Sequence, residues 1–423
     1  MTLQNQSGTS TIRPTIDTMD LEEIVELRTS HMVVGGAALA RDANGRVVFV
    51  SGALPDELVM VRMVTAKKDF ATAEVVSVTE PSASRVEPAC EAWHRGCGGC
   101  DWQHIAPAAQ VAMKTDMVRE ALSRTARVDQ PVVVTGAAIA PWGYRTTVRL
   151  AVGDDGRVGF RSRRSHDVVA LRACPVADER INGLLATVVA AGTDELSLRV
   201  GVAGAELIAW GAPGALVSGL ADTVRIGATA VVHEDVAGHR FRVSATSFFQ
   251  SSPEAAELLV AAVTRAAAGL DLGQCTVIDA YGGVGLFAAT VARGAERVVL
   301  VEASASACAD ARHNLRGQRA EVMEMRLEAW TPIAADLVIA DPARNGLDKS
   351  AAARLVQTGA SRIVLVSCDA GSLARDTRLL REHGYAHRGT EVLDVFPNTS
   401  HVETVTRFDR FAPGDRANHP DHV

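Results

Sequence analysis

Between residues 275 and 368 the chain carries four short, nearly continuous apolar runs: CTVIDA (275–280), RVVLVEA (297–303), ADLVIADPA (335–343) and SRIVLVSC (361–368). Each is followed by a stretch of helical character. Strands that are apolar at every position, not at alternate ones, are buried on both faces. A parallel sheet covered by helices buries them in that way. The runs therefore predict a doubly wound α/β domain. An Ala-rich helix over 253–270 precedes the first run, and the domain is expected to span 241–410.

The first part of the chain has another rhythm. VVFV (47–50), ELVMVRMV (57–64) and ATAEVVSV (71–78) are separated by Gly35-Gly36, Asn44-Gly45 and Leu54-Pro55-Asp56. Strand-length pieces with turn signals predict a small β-barrel over 20–80. A helix is expected over 107–127, then strands and short helices over 132–232, giving a mixed α+β region over 81–240. Residues 1–19, rich in Thr, Ser and Gln, and 411–423 are expected to be a disordered leader and tail. The leader lacks the apolar core of a signal peptide, and no apolar run reaches the roughly 18 residues of a membrane span. A cytoplasmic protein with no membrane partner is the expectation.

Forty-three basic and 50 acidic residues give a net charge of −7, which speaks against a nucleic-acid partner for the chain as a whole. The average hides a local reversal. From Arg145 to Arg172 there are seven arginines (145, 149, 157, 161, 163, 164, 172) against three aspartates, a local excess of four positive charges that can hold phosphates. A solvated Arg-rich face is the plainer alternative.

Seven cysteines (90, 97, 100, 174, 275, 308, 368) are an odd number, which argues against a disulfide framework. Cys90, Cys97 and Cys100 lie close together, and Cys174 stands before Pro175. Four thiolates so spaced fit a [4Fe–4S] cluster better than the paired C-x2-C of zinc knuckles, with zinc the alternative.

Val277–Gly285 reads VIDAYGGVG, a buried strand running into a glycine turn. Glu302 closes the next strand, where an acid can accept both hydroxyls of a ribose. The turn is not G-x-G-x-x-G, which favours S-adenosylmethionine over a dinucleotide whose pyrophosphate rests on a helix N-terminus. Cys368 ends the fourth run on the ligand edge of the sheet, Asp341 ends the third, and Glu403 follows in FPNTSHVETV. A thiol with a carboxylate near it suits a covalent nucleophile and a general base.

Taken in order, these segments resemble the RNA 5-methyluridine (uracil-5) methyltransferases, and in particular their ribosomal-RNA branch. The resemblance runs from about Glu22 to Arg407. GGAALARDANGRVVFVSGALPDELV is similar to the family's RNA-binding TRAM barrel, and CEAWHRGCGGCDWQHIAPAAQVAMK to its cluster-binding segment. The resemblance implies a class I methyltransferase domain. It implies cofactor contacts by Gln250 (in SFFQ), Tyr281 (in DAYGGVG), Glu302 and Asp341 (in DPARNGL). It implies Cys368 (in SCDAGSLARD) as nucleophile, Glu403 as base, and Cys90, Cys97, Cys100 and Cys174 as cluster ligands. The partner implied is RNA, ribosomal in preference to transfer RNA. The chain departs from the family's pattern at Gly282, where Cys is usual, at Leu286, where Asn is frequent, at Ala343 in DPAR, at Ser251-Ser252, and in a first cluster gap of six residues. Two other classes stay open: a methyltransferase acting on a small molecule or a protein, and a non-catalytic RNA binder with a decayed methyltransferase domain.

Overall fold

A computed structural model describes residues 24–411; the expected leader and residues 412–423 of the expected tail lie outside them. The described chain falls into two compact units, 24–33 with 37–83 and 34–36 with 84–411.

In the first unit five strands close into a barrel, in the order Ile24–Met32, Ala38–Arg41, Val47–Ser51, Phe70–Glu80, Leu58–Ala66. Alternation explains it. Val48, Val50, Val59, Val61, Met63, Ala71 and Ala73 are buried inside, while their neighbours are partly or fully exposed. Closure leaves no open edge among these strands. The expected runs at 47–50, 57–64 and 71–78 are three of the five strands.

The second unit contains two large sheets. Six short strands form one, in the order Val224–Ile226, Leu207–Trp210, Glu195–Val200, Thr147–Val152, Val158–Arg161, Val168–Ala170. The other has eight strands: β1 (Val133–Ala138), β2 (Thr276–Ala280), β3 (Arg297–Glu302), β4 (Ala320–Glu324), β5 (Leu337–Ala340), β6 (Arg362–Ser367), β7 (Tyr385–Asp394) and β8 (Glu403–Arg410). Their spatial order is β4-β3-β2-β5-β6-β8-β7-β1. β4 to β6 are mutually parallel, β8 returns antiparallel between β6 and β7, and β1 lies parallel to β7 at the far edge.

The four apolar runs are β2, β3, β5 and β6, buried on both faces as expected. Val277, Leu300, Leu337, Ile339, Val364 and Val366 enter one core, and Ile278, Ala280, Val299, Val301, Val338, Ala340, Ile363 and Leu365 enter the other. Helices cover both faces: α1 (Pro107–Arg124), α2 (Pro253–Ala267), the one-turn α3 (Leu286–Ala289), α4 (Ala305–Asn314), α5 (Lys349–Gln357) and α6 (Ala370–Glu382). Ser252, Ser304, Asp348 and Asp369 each cap the helix that follows by accepting a backbone N–H.

α1 is tied to the far end of β7 by a buried ion pair. Lys114 Nζ donates to Asp394 Oδ1 at 2.6 Å and to the Phe396 carbonyl at 3.0 Å. Burial holds the Lys114 ammonium below its ordinary range, and Asp394 opposes that. Removing one member would strand the other charge, at a cost of roughly 3–5 kcal/mol. Lys114→Met should therefore lower the urea midpoint sharply. Lys114→Met with Asp394→Leu should recover most of the loss in the same titration.

Candidate active site

The carboxyl ends of β2, β3, β5 and β6 meet at one edge of the sheet, where ligands of open α/β sheets bind. Register brings the key residues together there. Ala280 pairs with Val301 and with Ala340, so Tyr281, Glu302 and Asp341 follow at the same level. Ser367 pairs with Thr404 on the returning strand, so Cys368 comes beside Glu403, although 35 residues separate them in the chain. Thr404 Oγ1 adds a bond to the Ser367 carbonyl at 2.9 Å.

These residues open on one cavity of about 640 Å3. Its lining includes all six of the expected catalytic and cofactor-contacting residues: Gln250, Tyr281, Glu302, Asp341, Cys368 and Glu403. Arg344, Phe248 and Phe396 also line it, and the sequence reading did not single them out. Arg344 stands three residues after Asp341 in DPAR, so the motif itself was the available signal. Its guanidinium lies 3.0 Å from His401 Nε2. Phe248 is 71% exposed at this cavity, an uncommon position for a phenyl ring.

Each wall of the cavity is held from behind. Glu302 accepts the N–H of Gly283 at 3.1 Å and of Ser304 at 2.7 Å, which fixes its carboxylate at the end of β3. Asp279 is fully buried and accepts the Ala288 N–H at 2.8 Å, closing the glycine turn onto α3. The SFFQ segment hangs on Asp310 of α4, which accepts from Ser244 N at 2.7 Å and from Ser247 Oγ at 2.7 Å. The glycine turn also accounts for one departure from the family's pattern. A Cβ at Gly282 would come 2.5 Å from Leu300 Cγ, so the volume a larger residue would occupy is filled by Leu300. Leu286 is buried at the cavity wall and packs into the core.

The electrostatics are those of several acids in little water. Burial pushes Asp341 up to about 7. Burial, with Asp341 nearby, holds Glu403 well above the ordinary carboxylate range. Burial pushes the Cys368 thiol up to about 11; Glu403 and Asp341 add to this, and Arg344 pulls the other way. Ionising all three at once is unfavourable, so the free site holds protons that a reaction can move.

Cys90, Cys97, Cys100 and Cys174 line a second, small cavity together with Gly99, Gln103 and Phe160. All four are buried. Gly98-Gly99 lets the loop slide under the 158–161 strand: a Cβ on Gly98 would meet the Arg161 carbonyl at 2.8 Å, and one on Gly99 the Phe160 ring at 3.0 Å. Among the described residues no group of three or more His, Cys, Asp and Glu side chains stands where it could hold a metal ion. Beside this site lies a cavity of about 850 Å3 whose lining includes Arg95, Arg157 and Arg172. Six of the seven arginines between 145 and 172 are exposed; Arg145 is half-buried.

No family model matches the chain. Three similar proteins, each called an uncharacterized RNA methyltransferase, span nearly all of it. The one from Gloeobacter violaceus is 32% identical over 92% of this chain and 97% of its own length. That from Streptomyces coelicolor is 32% identical over 93% and 94%, and that from Streptomyces avermitilis 33% over 93% and 99%. The chain belongs to the RNA methyltransferases. This methyltransferase also shares its fold with the Pyrococcus abyssi tRNA (uracil-54, C5)-methyltransferase solved with S-adenosyl-L-homocysteine. The TM-score is 0.69, with 22% identity over 90% of this chain and 99% of that one. Among the described residues of the methyltransferase no helix is long and apolar enough to cross a membrane.

Asp341 carries a consequence for pH. Burial pushes its carboxyl up to about 7 in the folded chain, against about 4 in an unfolded one, so between those values the folded state binds more protons. Stability then falls as pH rises through this window. Asp341→Asn removes the contribution. The thermal midpoint of the parent should drop more between pH 5 and pH 8 than that of the variant; parallel curves would contradict the assignment.

Proposed function

We propose that this RNA methyltransferase transfers a methyl group to carbon 5 of a uracil in RNA, using Cys368 as a covalent nucleophile and Glu403 as the base. One observation carries the reading: a half-buried thiol and a buried carboxylate from distant segments share one cavity. Methylation of a nitrogen or hydroxyl needs no thiol, because the lone pair is already there. Carbon 5 of uracil has none.

S-adenosylmethionine supplies a methyl bonded to a positive sulfur. Gln250, Tyr281, Glu302 and Asp341 would hold it, and the twin N–H bonds that orient the Glu302 carboxylate suit a ribose diol. Cys368 gives its proton to solvent at the mouth of the cavity and its sulfur bonds to C6; the C5=C6 pair moves toward O4 as an enolate. Carbon 5 takes the methyl, and the bond to sulfur breaks, leaving a neutral thioether. Glu403, ionised, removes the C5 proton. The electrons of that C–H bond restore C5=C6, and Cys368 leaves as a thiolate. A uracil within a helix cannot reach the cavity, so the target is flipped out, which favours loops and bulges. Phe248 at the cavity and the exposed arginines supply a stacking surface and phosphate partners for such a strand.

The four buried thiols support a [4Fe–4S] cluster held by Cys90, Cys97, Cys100 and Cys174. They line one small cavity, and three close cysteines with a distant one before Pro175 fit a cluster better than the paired C-x2-C of zinc knuckles. The group would cross-link the 90–100 loop to residue 174. Protein purified anaerobically should contain about four iron and four sulfide per chain; one zinc and no sulfide would reassign the site. The five-stranded barrel supports the TRAM reading. We propose ribosomal RNA as substrate, with transfer RNA the alternative, and a cytoplasmic location consistent with seven unpaired cysteines.

The test uses RNA containing 5-fluorouridine, in which fluorine replaces the proton that Glu403 removes. The parent should form a protein–RNA adduct that survives denaturing electrophoresis, and Cys368→Ala should form none. Mapping the adduct names the RNA. No adduct with either RNA, in protein that binds the cofactor, would make the chain an RNA binder without this chemistry.

A further inference from the structure

The loop from Val395 to Val402 joins β7 to β8. It delivers Phe396 to the cavity and ends at Glu403. Very little of it is held by the sheet. Ser251 Oγ and the Tyr144 hydroxyl donate to the Val395 and Pro397 carbonyls, both at 3.2 Å, and the rest of its outside support comes from the segment that carries the clustered cysteines and from α1. The Trp102 N–H donates to the Asn398 carbonyl at 3.0 Å. Asp101 Oδ1 accepts the Ser400 N–H at 2.9 Å. Gln110 Oε1 accepts the Asn398 N–H at 2.7 Å, and Gln110 is itself fixed by donating to the Ile105 carbonyl at 2.9 Å. Asn398 sits at φ 66°, in the left-handed region that asparagine adopts more readily than most residues. Its Nδ2 donates to the Pro141 carbonyl at 2.7 Å.

Asp101 is exposed. Its carboxylate is therefore not required to fill a core, yet it reaches across 299 residues of sequence to the peptide three positions before Glu403. It also follows Cys100 directly.

We propose that Asp101 and Gln110 are positioning residues for the base. They hold the 395–402 loop so that Glu403 meets the C5 proton, and they couple the geometry of the thiol site to the second half of the reaction. The inference rests on the uracil-5 reading above. Its content is specific: the clamp serves proton removal and not the earlier attack by Cys368, which sits on β6's own strand-to-helix turn, fixed by the Asp369 cap. A misplaced Glu403 leaves methylated RNA bonded to Cys368, because elimination must wait for the proton to leave. An unspecific loss of fold would slow both halves together.

The experiment compares the full-length parent with Asp101→Ala, Gln110→Ala and Asp101→Asn, using ordinary and 5-fluorouridine RNA and S-adenosylmethionine. With fluorinated RNA, where no proton is removed, all four proteins should form adduct at about the same rate. With ordinary RNA, Asp101→Ala and Gln110→Ala should turn over about tenfold more slowly, part of what a positioned base contributes. They should also accumulate a denaturation-stable protein–RNA band that carries the labelled methyl. Asp101→Asn keeps an acceptor oxygen and should behave as the parent. Parental turnover in both alanine variants overturns the proposal. So does a fall in turnover matched by an equal fall in fluorinated adduct, with no trapped band. If the parent itself forms no fluorinated adduct, the uracil-5 reading fails and the proposal falls with it.

Discussion

The site depends on the register of one antiparallel pair. β8 returns between β6 and β7 so that Thr404 faces Ser367, and this sets Glu403 beside Cys368. A slip of one residue would turn Glu403 to the other face of the sheet. Two things guard against a slip. Val364, Val366 and Val405 are committed to one core, and Ile363, Leu365 and Phe408 to the other. The hydroxyl of Thr404 also bonds the Ser367 carbonyl. Stability and chemistry thus share the same ladder.

The second organising fact is the crowding of acids where the strands end. Asp279, Glu302, Asp341 and Glu403 stand at or near the carboxyl edge, and burial pushes Asp279 and Asp341 up to about 7. A structural core would avoid this arrangement, because unpaired buried carboxylates destabilise it. Strain of this kind is expected where reactants will supply the missing partners. A sulfonium cation and a ribose diol are partners of that kind.

Much of this was legible in the sequence for a physical reason. Strands buried on both faces cannot hide their composition, so β2, β3, β5 and β6 stand out as apolar runs, and their ends locate Glu302, Asp341 and Cys368. β4 did not stand out: AEVME is an edge strand with polar positions. β1 did not either, since VVTGAA contains a glycine and small residues and pairs only with a strand far along the chain. The helix that follows the glycine turn is a single turn, Leu286–Ala289; an apolar stretch buried on all sides has no periodicity to report its length. Phe248 escaped notice because exposure of one phenylalanine leaves no mark in a sequence. The convergence of the four thiols on one cavity is a tertiary fact that spacing could only suggest.

β1 has a consequence for how the molecule is made. Residues 133–138 complete the far edge of a sheet whose other strands all come from beyond residue 275, and their partner β7 leaves the ribosome long after they do. During synthesis β1 and α1 must wait while the six-stranded sheet and most of the cofactor domain emerge. Pairing over such separation is slow. Until it happens, β7 presents a bare strand edge to any neighbouring nascent chain, so the interval before β1 docks is when this protein is most exposed to edge-to-edge association with its own copies.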